Sequence, residues 1–94
     1  MTKNDDLEAK KRKDSLLEEQ KKADFEWLMS EKRGRRIIRH LLEDAGVWRS
    51  TFHESQSIAA FNEGRRNMGL KLLSNVQPTS NFHLILTEEG NNEY

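Results

Sequence analysis

Residues 30–46 read SEKRGRRIIRHLLEDAG, and this stretch decides the fold. Its apolar residues recur at i, i+1, i+4, i+5 and i+8, the spacing of an amphipathic helix that buries one face. They are Ile37, Ile38, Leu41, Leu42 and Ala45. Ser30 is placed to cap the helix, Glu31 suits the positive end of the helix dipole, and Gly46 stands where a left-handed C-cap belongs. The pattern predicts a helix over residues 31–45.

A second helix is predicted downstream, starting at Ser55 or Ser57 and ending before Pro78, because the residue before a proline is displaced from the α region. Its apolar stripe is interrupted by Arg65. The stripe and the two leucines beside it are Ile58, Phe61, Met68, Leu72 and Val76, with Leu70 and Leu73. The connection over residues 47–54 carries two large aromatics and is expected to pack against the core.

The last apolar run, residues 80–89, fits either a strand or a helix. Phe82, Leu84 and Leu86 alternate as in a strand, but a lone strand would leave its backbone hydrogen bonds unmet. A short helix is therefore favoured, capped by Thr79 or Ser80 and ended by Gly90.

Residues 3–22 are almost entirely charged or helix-favouring. Their few apolar residues do not form a heptad pattern, and acid-first pairs such as Glu8 with Arg12 support a helix. This segment is either a helix without a face of its own to bury or a disordered tail; we favour a helix that becomes ordered on a partner. The fold class is all-α, a small domain of three to four helices with a long charged N-terminal helix or arm. The predicted division is an arm over 1–22, a helical domain over 23–89 and a tail over 90–94.

The composition indicates a small domain that is only marginally stable without further stabilising contacts. Its 94 residues (11.0 kDa) are 34% hydrophobic and contain no Cys, which excludes disulfides and thiolate zinc sites. A domain of this size is marginal unless it is stapled or assembled, so packing against other chains is expected. Neither a signal peptide nor an apolar run of about 18 residues is present, which predicts a soluble intracellular product without a membrane partner.

The zero net charge conceals three segments of different sign. Residues 1–30 carry seven basic and eight acidic side chains, residues 31–78 nine and five, and residues 79–94 none and three. The net charges are therefore −1, +4 and −3. A general nucleic-acid coat usually carries a large positive excess, so this distribution favours a module that docks in one orientation.

The sequence Gly-Arg-Arg occurs twice, at residues 34–36 and at residues 64–66, thirty residues apart. A glycine inside a helix costs about 1 kcal/mol relative to alanine, so both glycines, and Gly69, predict close helix crossings. The nearby arginines either form an anion-binding patch for a partner or nucleic acid, or pair with internal acids. The patch residues are Arg35, Arg36, Arg39, Arg65 and Arg66; the acids considered are Glu31, Glu43, Glu54 and Glu63. The structural or protein-contact interpretation is favoured, because charge clusters are usually solvated or internally paired.

No residues form a recognisable catalytic constellation. His40, His53 and His83 are scattered without metal-ligand spacing, and no phosphate loop or nucleophile motif occurs. The aromatics near the apolar stripes, Trp27, Trp48, Phe52 and Phe61, are expected in the core rather than as base-stacking platforms. The sequence predicts no enzyme, no cofactor and no metal.

From Phe25 to about Glu89 the chain resembles a small domain family of short-tailed bacteriophages named after a Bordetella phage protein. The resemblance rests on two sets of residues. The first set is Phe25 with Leu28 and Met29, Gly34-Arg35-Arg36 with Leu41-Leu42, Gly46-Val47 and Phe52; the second, more specific, is the run of residues 60–70, AFNEGRRNMGL. The resemblance implies no assigned catalytic chemistry and a gene neighbourhood of head and DNA-packaging proteins.

Two functions follow as expectations. The first is a structural component of a tailed-phage virion, made in the host cytoplasm and bound in multiple copies to portal, neck or head-interior proteins to assist assembly, DNA packaging or ejection. Its docking residues would be Leu7, Leu16, Leu17, Phe25 and Trp27. The alternative is a small DNA-binding packaging accessory protein that contacts packaged DNA through the Gly-Arg-Arg basic patch.

Overall fold

A computed structural model describes residues 3–88 and shows four α-helices in this part of the chain: α1 (Lys3–Ser30), α2 (Lys32–Ala45), α3 (Gln56–Val76) and α4 (His83–Thr87). The predicted all-α class and the long charged N-terminal helix are confirmed. The last apolar run is helical, which settles the choice that its spacing left open.

The amphipathic helix α2 lies at the centre and packs against α1, α3 and α4. Leu42 of α2, Met29 of α1 and Val76 of α3 are fully buried side by side in the core. Ile38, Val47 and Ile85 complete the buried apolar cluster of the described residues. The core is small because only the last turns of α1 reach it.

The helix ends follow the predicted chemistry at two of three positions. Gly46 has φ 79° and donates its N–H to the carbonyls of Leu42 and Glu43, as a left-handed C-cap does. Ser55 is the N-cap of α3, since its Oγ accepts from the Ile58 N–H at 3.5 Å. The expectation that Ser30 caps α2 is wrong. Because α1 continues through Ser30, the N-cap position of α2 falls to Glu31, which makes no side-chain cap hydrogen bond.

The connection between α3 and α4 differs from its prediction in one detail. α3 ends at Val76, two residues before Pro78, as expected. The N-cap position of α4 is occupied by Phe82 rather than by Thr79 or Ser80. Thr79 donates its hydroxyl back to the Val76 carbonyl at 2.6 Å, and the Ser80 N–H donates to the Glu26 carboxylate, so both are used in the turn. The predicted end of this helix at Gly90 lies outside the described residues.

Two of the three helical glycines mark close helix crossings. A Cβ on Gly34 would overlap the carbonyl oxygen of Leu28, and a Cβ on Gly69 would lie 2.5 Å from the Cβ of Ala45. The same expectation is wrong for Gly64, since no atom of the neighbouring described segments lies within 4 Å of where its Cβ would be. α2 crosses α3 one and a half turns further along the helix, at Gly69, and leaves Gly64 uncovered.

We expect Gly64→Ala to stabilise the chain by about 1 kcal/mol, because alanine gains helix propensity there and meets no neighbour. Gly69→Ala is expected to destabilise it, since the new methyl group overlaps Ala45 and Val47. Urea denaturation followed by circular dichroism measures both changes. Equal signs for the two variants would contradict the packing described for α3.

The chain is more extended than a compact domain of its length. Its radius of gyration is 17.8 Å, whereas about 12 Å is typical for 94 residues. Its accessible surface is 7575 Å², against about 5600 Å² for a compact monomer of 11.0 kDa. The arm contributes to this excess, because every residue from Lys3 to Asp24 is exposed.

Candidate functional site

The inner face of α2 carries a buried charge cluster against α4. Arg35 is 7% exposed, and its Nε and Nη2 both donate to Oε1 of Glu88, at 2.9 and 2.6 Å. Its Nη1 donates to the carbonyl of Met29 at 2.8 Å. One guanidinium therefore ties the C-terminal end of α1 to the residue that follows α4.

Arg39 extends the same cluster, one turn after Arg35 on α2. Its Nε donates to the Ile85 carbonyl at 3.1 Å and its Nη2 approaches Oε2 of Glu88 at 3.4 Å. α4 has only five residues and little helical stability of its own. The two arginines hold it in place through its backbone and through Glu88.

The Arg35 hydrogen bonds hold the pKa of Glu88 below its usual value near 4.5, and the positive charges of Arg35, Arg39 and Lys32 act in the same direction; burial opposes them. Because the pKa is lower in the folded state than in the unfolded state, Glu88 stabilises the fold fully above about pH 4.5. That contribution is lost as the pH falls through the folded-state pKa.

We therefore expect the free energy of unfolding to fall more steeply below pH 4.5 in the natural chain than in Glu88→Gln, whose side chain does not titrate. Urea melts at several pH values between about 3 and 7 measure this difference. Parallel curves for the two proteins would contradict the assigned ion pairs.

The five candidate arginines do not form one surface. Arg35 and Arg39 face α4, Arg36 is half-buried, and the remaining two lie on α3. Arg66 is half-buried with Nη2 3.5 Å from the Val47 carbonyl. Arg65 is exposed, with Nη2 3.5 Å from Oδ1 of Asn62 and its guanidinium carbon 5.5 Å from the centre of the Phe61 ring.

Internal pairing of Arg35 and Arg39 does occur, but not with the acids that the sequence suggested. Within residues 3–88, none of Glu31, Glu43, Glu54 and Glu63 forms a salt bridge. The partner is Glu88, which lies 53 residues after Arg35. Such a separation leaves no periodic signal, so only the packed fold reveals the pair.

The docking candidates of α1 are mostly open to solvent. Their exposed fractions are 54% for Leu7, 65% for Leu16, 53% for Leu17 and 65% for Trp27. Phe25 is half-buried and packs against the core. A shallow groove runs along α1 from Leu17 to Leu28 with Trp27 in its wall. The arm thus presents apolar side chains that nothing in the described chain covers.

The expectation that the four aromatics lie in the core is wrong. Trp27, Trp48 and Phe61 are all more than half exposed, and Phe52 is 82% exposed. In the connection only Val47 is buried; Trp48 and Phe52 point away from the core.

The apolar stripe of α3 divides at Gly69. Its second half, with Leu72, Leu73 and Val76, contacts the core, whereas Ile58, Phe61 and Met68 in the first half are exposed. Periodicity alone marks one continuous face. The position of the α2–α3 crossing decides that only the second half is covered.

Within the described residues no group of three or more His, Asp or Glu side chains is placed to hold a metal ion. No helix of residues 3–88 is both long and apolar enough to cross a membrane.

Comparison with known protein families gives a match. No curated protein and no solved structure is significantly similar to the chain. The model of the family described as Bbp19-like phage protein matches residues 25–86, about two thirds of the chain, and begins at Phe25, where the resemblance in the sequence begins. The match includes α2, α3 and both Gly-Arg-Arg sequences and leaves out the whole of the charged arm, residues 1–22. The chain therefore belongs to the Bbp19-like family of phage proteins.

Proposed function

We propose that the chain is a structural component of a tailed-phage particle, made in the host cytoplasm and bound in several copies at the portal, neck or head interior. Its role there is to assist assembly, DNA packaging or ejection. The observation that carries this proposal is α1 in a chain of a phage family: Leu7, Leu16 and Leu17 of its arm, and Trp27 beyond the arm, are exposed.

The unpartnered surface supports an assembled state. The accessible area exceeds that of a compact monomer by roughly 2000 Å², which is of the order buried in a standard protein–protein interface. Large apolar side chains on that surface gain free energy when a neighbour removes them from water, at about 25 cal/mol per Å². Phage proteins of the portal, neck or head supply such neighbours.

A non-catalytic role is part of the proposal. Arg35, the one charged side chain that is buried among the described residues, donates to the Glu88 carboxylate and to the Met29 carbonyl. These bonds join helices and leave neither group free to act on a substrate. The described histidines, His40, His53 and His83, are all exposed and lie on three different elements.

DNA binding through the Gly-Arg-Arg patch is the weaker candidate. Two of its five arginines share Glu88, which neutralises part of their charge, and the other three are spread over α2 and α3. Contact with packaged DNA would give an affinity that falls steeply with salt. A gel shift at low ionic strength, repeated as salt is raised, tests it.

The proposed function is tested by quantitative mass spectrometry of purified virions and of assembly intermediates from the phage that encodes the chain. We expect the protein in one or both, in multiple copies per particle. Its absence from mature particles and from intermediates would overturn the proposal.

We expect Leu16→Ser with Leu17→Ser to reduce incorporation into particles while changing the free energy of unfolding by no more than about 0.5 kcal/mol, because both leucines are exposed. Ile37→Ser on α2 is the matched control, an exposed apolar residue outside the arm. Equal incorporation of the natural chain, the Leu16→Ser/Leu17→Ser variant and the Ile37→Ser variant would show that the leucine pair is not a docking surface.

A further inference from the structure

The first half of α3 presents an apolar surface that the described chain does not cover. Ile58, Phe61 and Met68 follow one another at helical spacing and are exposed, and Gly64 lies between the last two with open space above its backbone. We call these four residues the α3 face. Gly34 and Gly69, the other helical glycines of the described chain, are each covered by a neighbouring segment. Gly64 therefore marks a place where a helix can cross closely and where no helix of residues 3–88 does.

The α3 face is flanked by positive charge. Arg65 lies beside Phe61, with its guanidinium carbon 5.5 Å from the ring centre, and Lys71 lies one turn beyond Met68. Both side chains are exposed, and neither forms a salt bridge with any residue between Lys3 and Glu88. An occupant of this face should offer apolar side chains together with carboxylates.

The arm of α1 offers that combination. Leu16 and Leu17 are exposed, and the carboxylates of Asp14, Glu18 and Glu19 surround them. Residues 14–20 contain no basic residue, so this part of the arm carries a charge of −3. Within residues 3–88, Glu18 forms an exposed ion pair with Lys21 at 3.2 Å, and such a pair contributes little to stability.

The two surfaces do not cover one another within residues 3–88, since the apolar side chains of both are exposed. α1 is a continuous helix, and its residues Glu18 and Lys22 line a groove with Ser74 and Pro78, at the C-terminal end of α3. The α3 face lies 6 to 16 residues earlier, which is roughly 9–24 Å along the helix axis at 1.5 Å per residue. The arm before Glu18 continues beyond this groove with nothing packed on it.

We propose that the acidic leucine segment of the arm, residues 14–20, docks across the α3 face of a second copy of this chain, with Glu18 and Glu19 near Arg65 and Lys71. The contact joins two different surfaces, so each copy keeps one free arm and one free α3 face. Such head-to-tail contacts close into a ring or continue as a filament. This extends the proposed function, since it names the neighbour that a component present in several copies would contact.

Disulfide trapping tests the contact directly, because the natural chain has no Cys and each variant carries a single thiol. Leu17→Cys and Phe61→Cys are prepared separately in the full chain and mixed under mild oxidation. We expect the mixed disulfide to exceed either homodimer at least about tenfold, since the two surfaces differ. Leu7→Cys and Ile37→Cys, exposed apolar positions outside the contact, are the matched controls.

Charge reversal gives an independent measurement by sedimentation velocity. We expect Arg65→Glu to weaken self-association at least about tenfold, and Glu18→Lys with Glu19→Lys to recover it when combined with Arg65→Glu. Arg33→Glu on α2 is the control, an exposed arginine away from the α3 face. Each variant's circular dichroism spectrum shows whether it is folded.

The inference is overturned if the chain remains monomeric up to about 1 mM, if Leu17→Cys couples to itself in preference to Phe61→Cys, or if the chain binds DNA or another protein without self-association. These results would not affect the presence of the protein in virions, which mass spectrometry measures separately. Conversely, self-association of a protein that is absent from particles would overturn the proposed function alone.

Discussion

Gly34→Ala is expected to destabilise the domain by about 2–3 kcal/mol. The added Cβ would overlap the carbonyl oxygen of Leu28 and lie 2.9 Å from its Cδ1, and a backbone atom cannot rotate away as a side chain can. α1 and α2 must therefore separate, which loosens the packing around the fully buried Met29 and lengthens the Arg35 bond to its carbonyl. The helix propensity gained by alanine, about 1 kcal/mol, offsets only part of this cost.

Thermal denaturation measures this effect as a fall in Tm of about 8 °C or more for a domain of this size. Gly64→Ala is the matched control, because it makes the same chemical change at an uncovered position of α3. A Gly34→Ala variant as stable as the natural chain would show that α1 and α2 do not approach one another as closely as described.

Glu88→Gln is expected to destabilise the domain by about 2 kcal/mol near pH 7. The change keeps the shape of the side chain but removes the charge that balances Arg35, whose side chain is only 9% exposed. A buried guanidinium without a carboxylate partner costs free energy, and α4 loses its main attachment to α2. The side chain of Glu88 is 20% exposed, so water screens part of the effect and the expected loss lies below that of a fully buried pair.

A double-mutant cycle isolates the pair. Arg35→Met combined with Glu88→Gln should destabilise the domain by clearly less than the sum of the single changes, because neither charge is then left alone. Glu63 is an exposed carboxylate of α3 that forms no salt bridge with any residue from 3 to 88, so Glu63→Gln should change stability by no more than about 0.5 kcal/mol. Strict additivity of Arg35→Met and Glu88→Gln would contradict the assigned contact between Arg35 and Glu88.

The helices themselves were predictable because their signals are local. The spacing of Ile38 and Leu42, the left-handed position of Gly46 and the cap at Ser55 all act within a few residues, and the structure shows each of them in use. The prediction that Ser30 caps α2 was wrong because the N-cap position of α2 depends on where α1 ends. α1 includes Ser30, whose hydroxyl donates to the Trp27 carbonyl within α1.

The candidate site was predictable only in part. The arm's leucines could be identified from sequence, since no apolar stripe accompanies them in residues 3–22. The Arg35–Glu88 pair could not, because it joins elements 53 residues apart. The exposed half of the α3 stripe could not either, because Phe61 and Val76 have the same helical periodicity and only the crossing at Gly69 separates their environments.

Sequence alone determined the all-α class, the charged arm and the phage-family resemblance of residues from Phe25 onward, because helix periodicity, caps and motif residues are encoded in short stretches. Tertiary structure decided which glycines are crossings, which arginines are neutralised and which apolar residues stay in water. Those properties depend on the angle and position at which α2 packs against its neighbours. The spacing of residues within one helix does not encode either quantity.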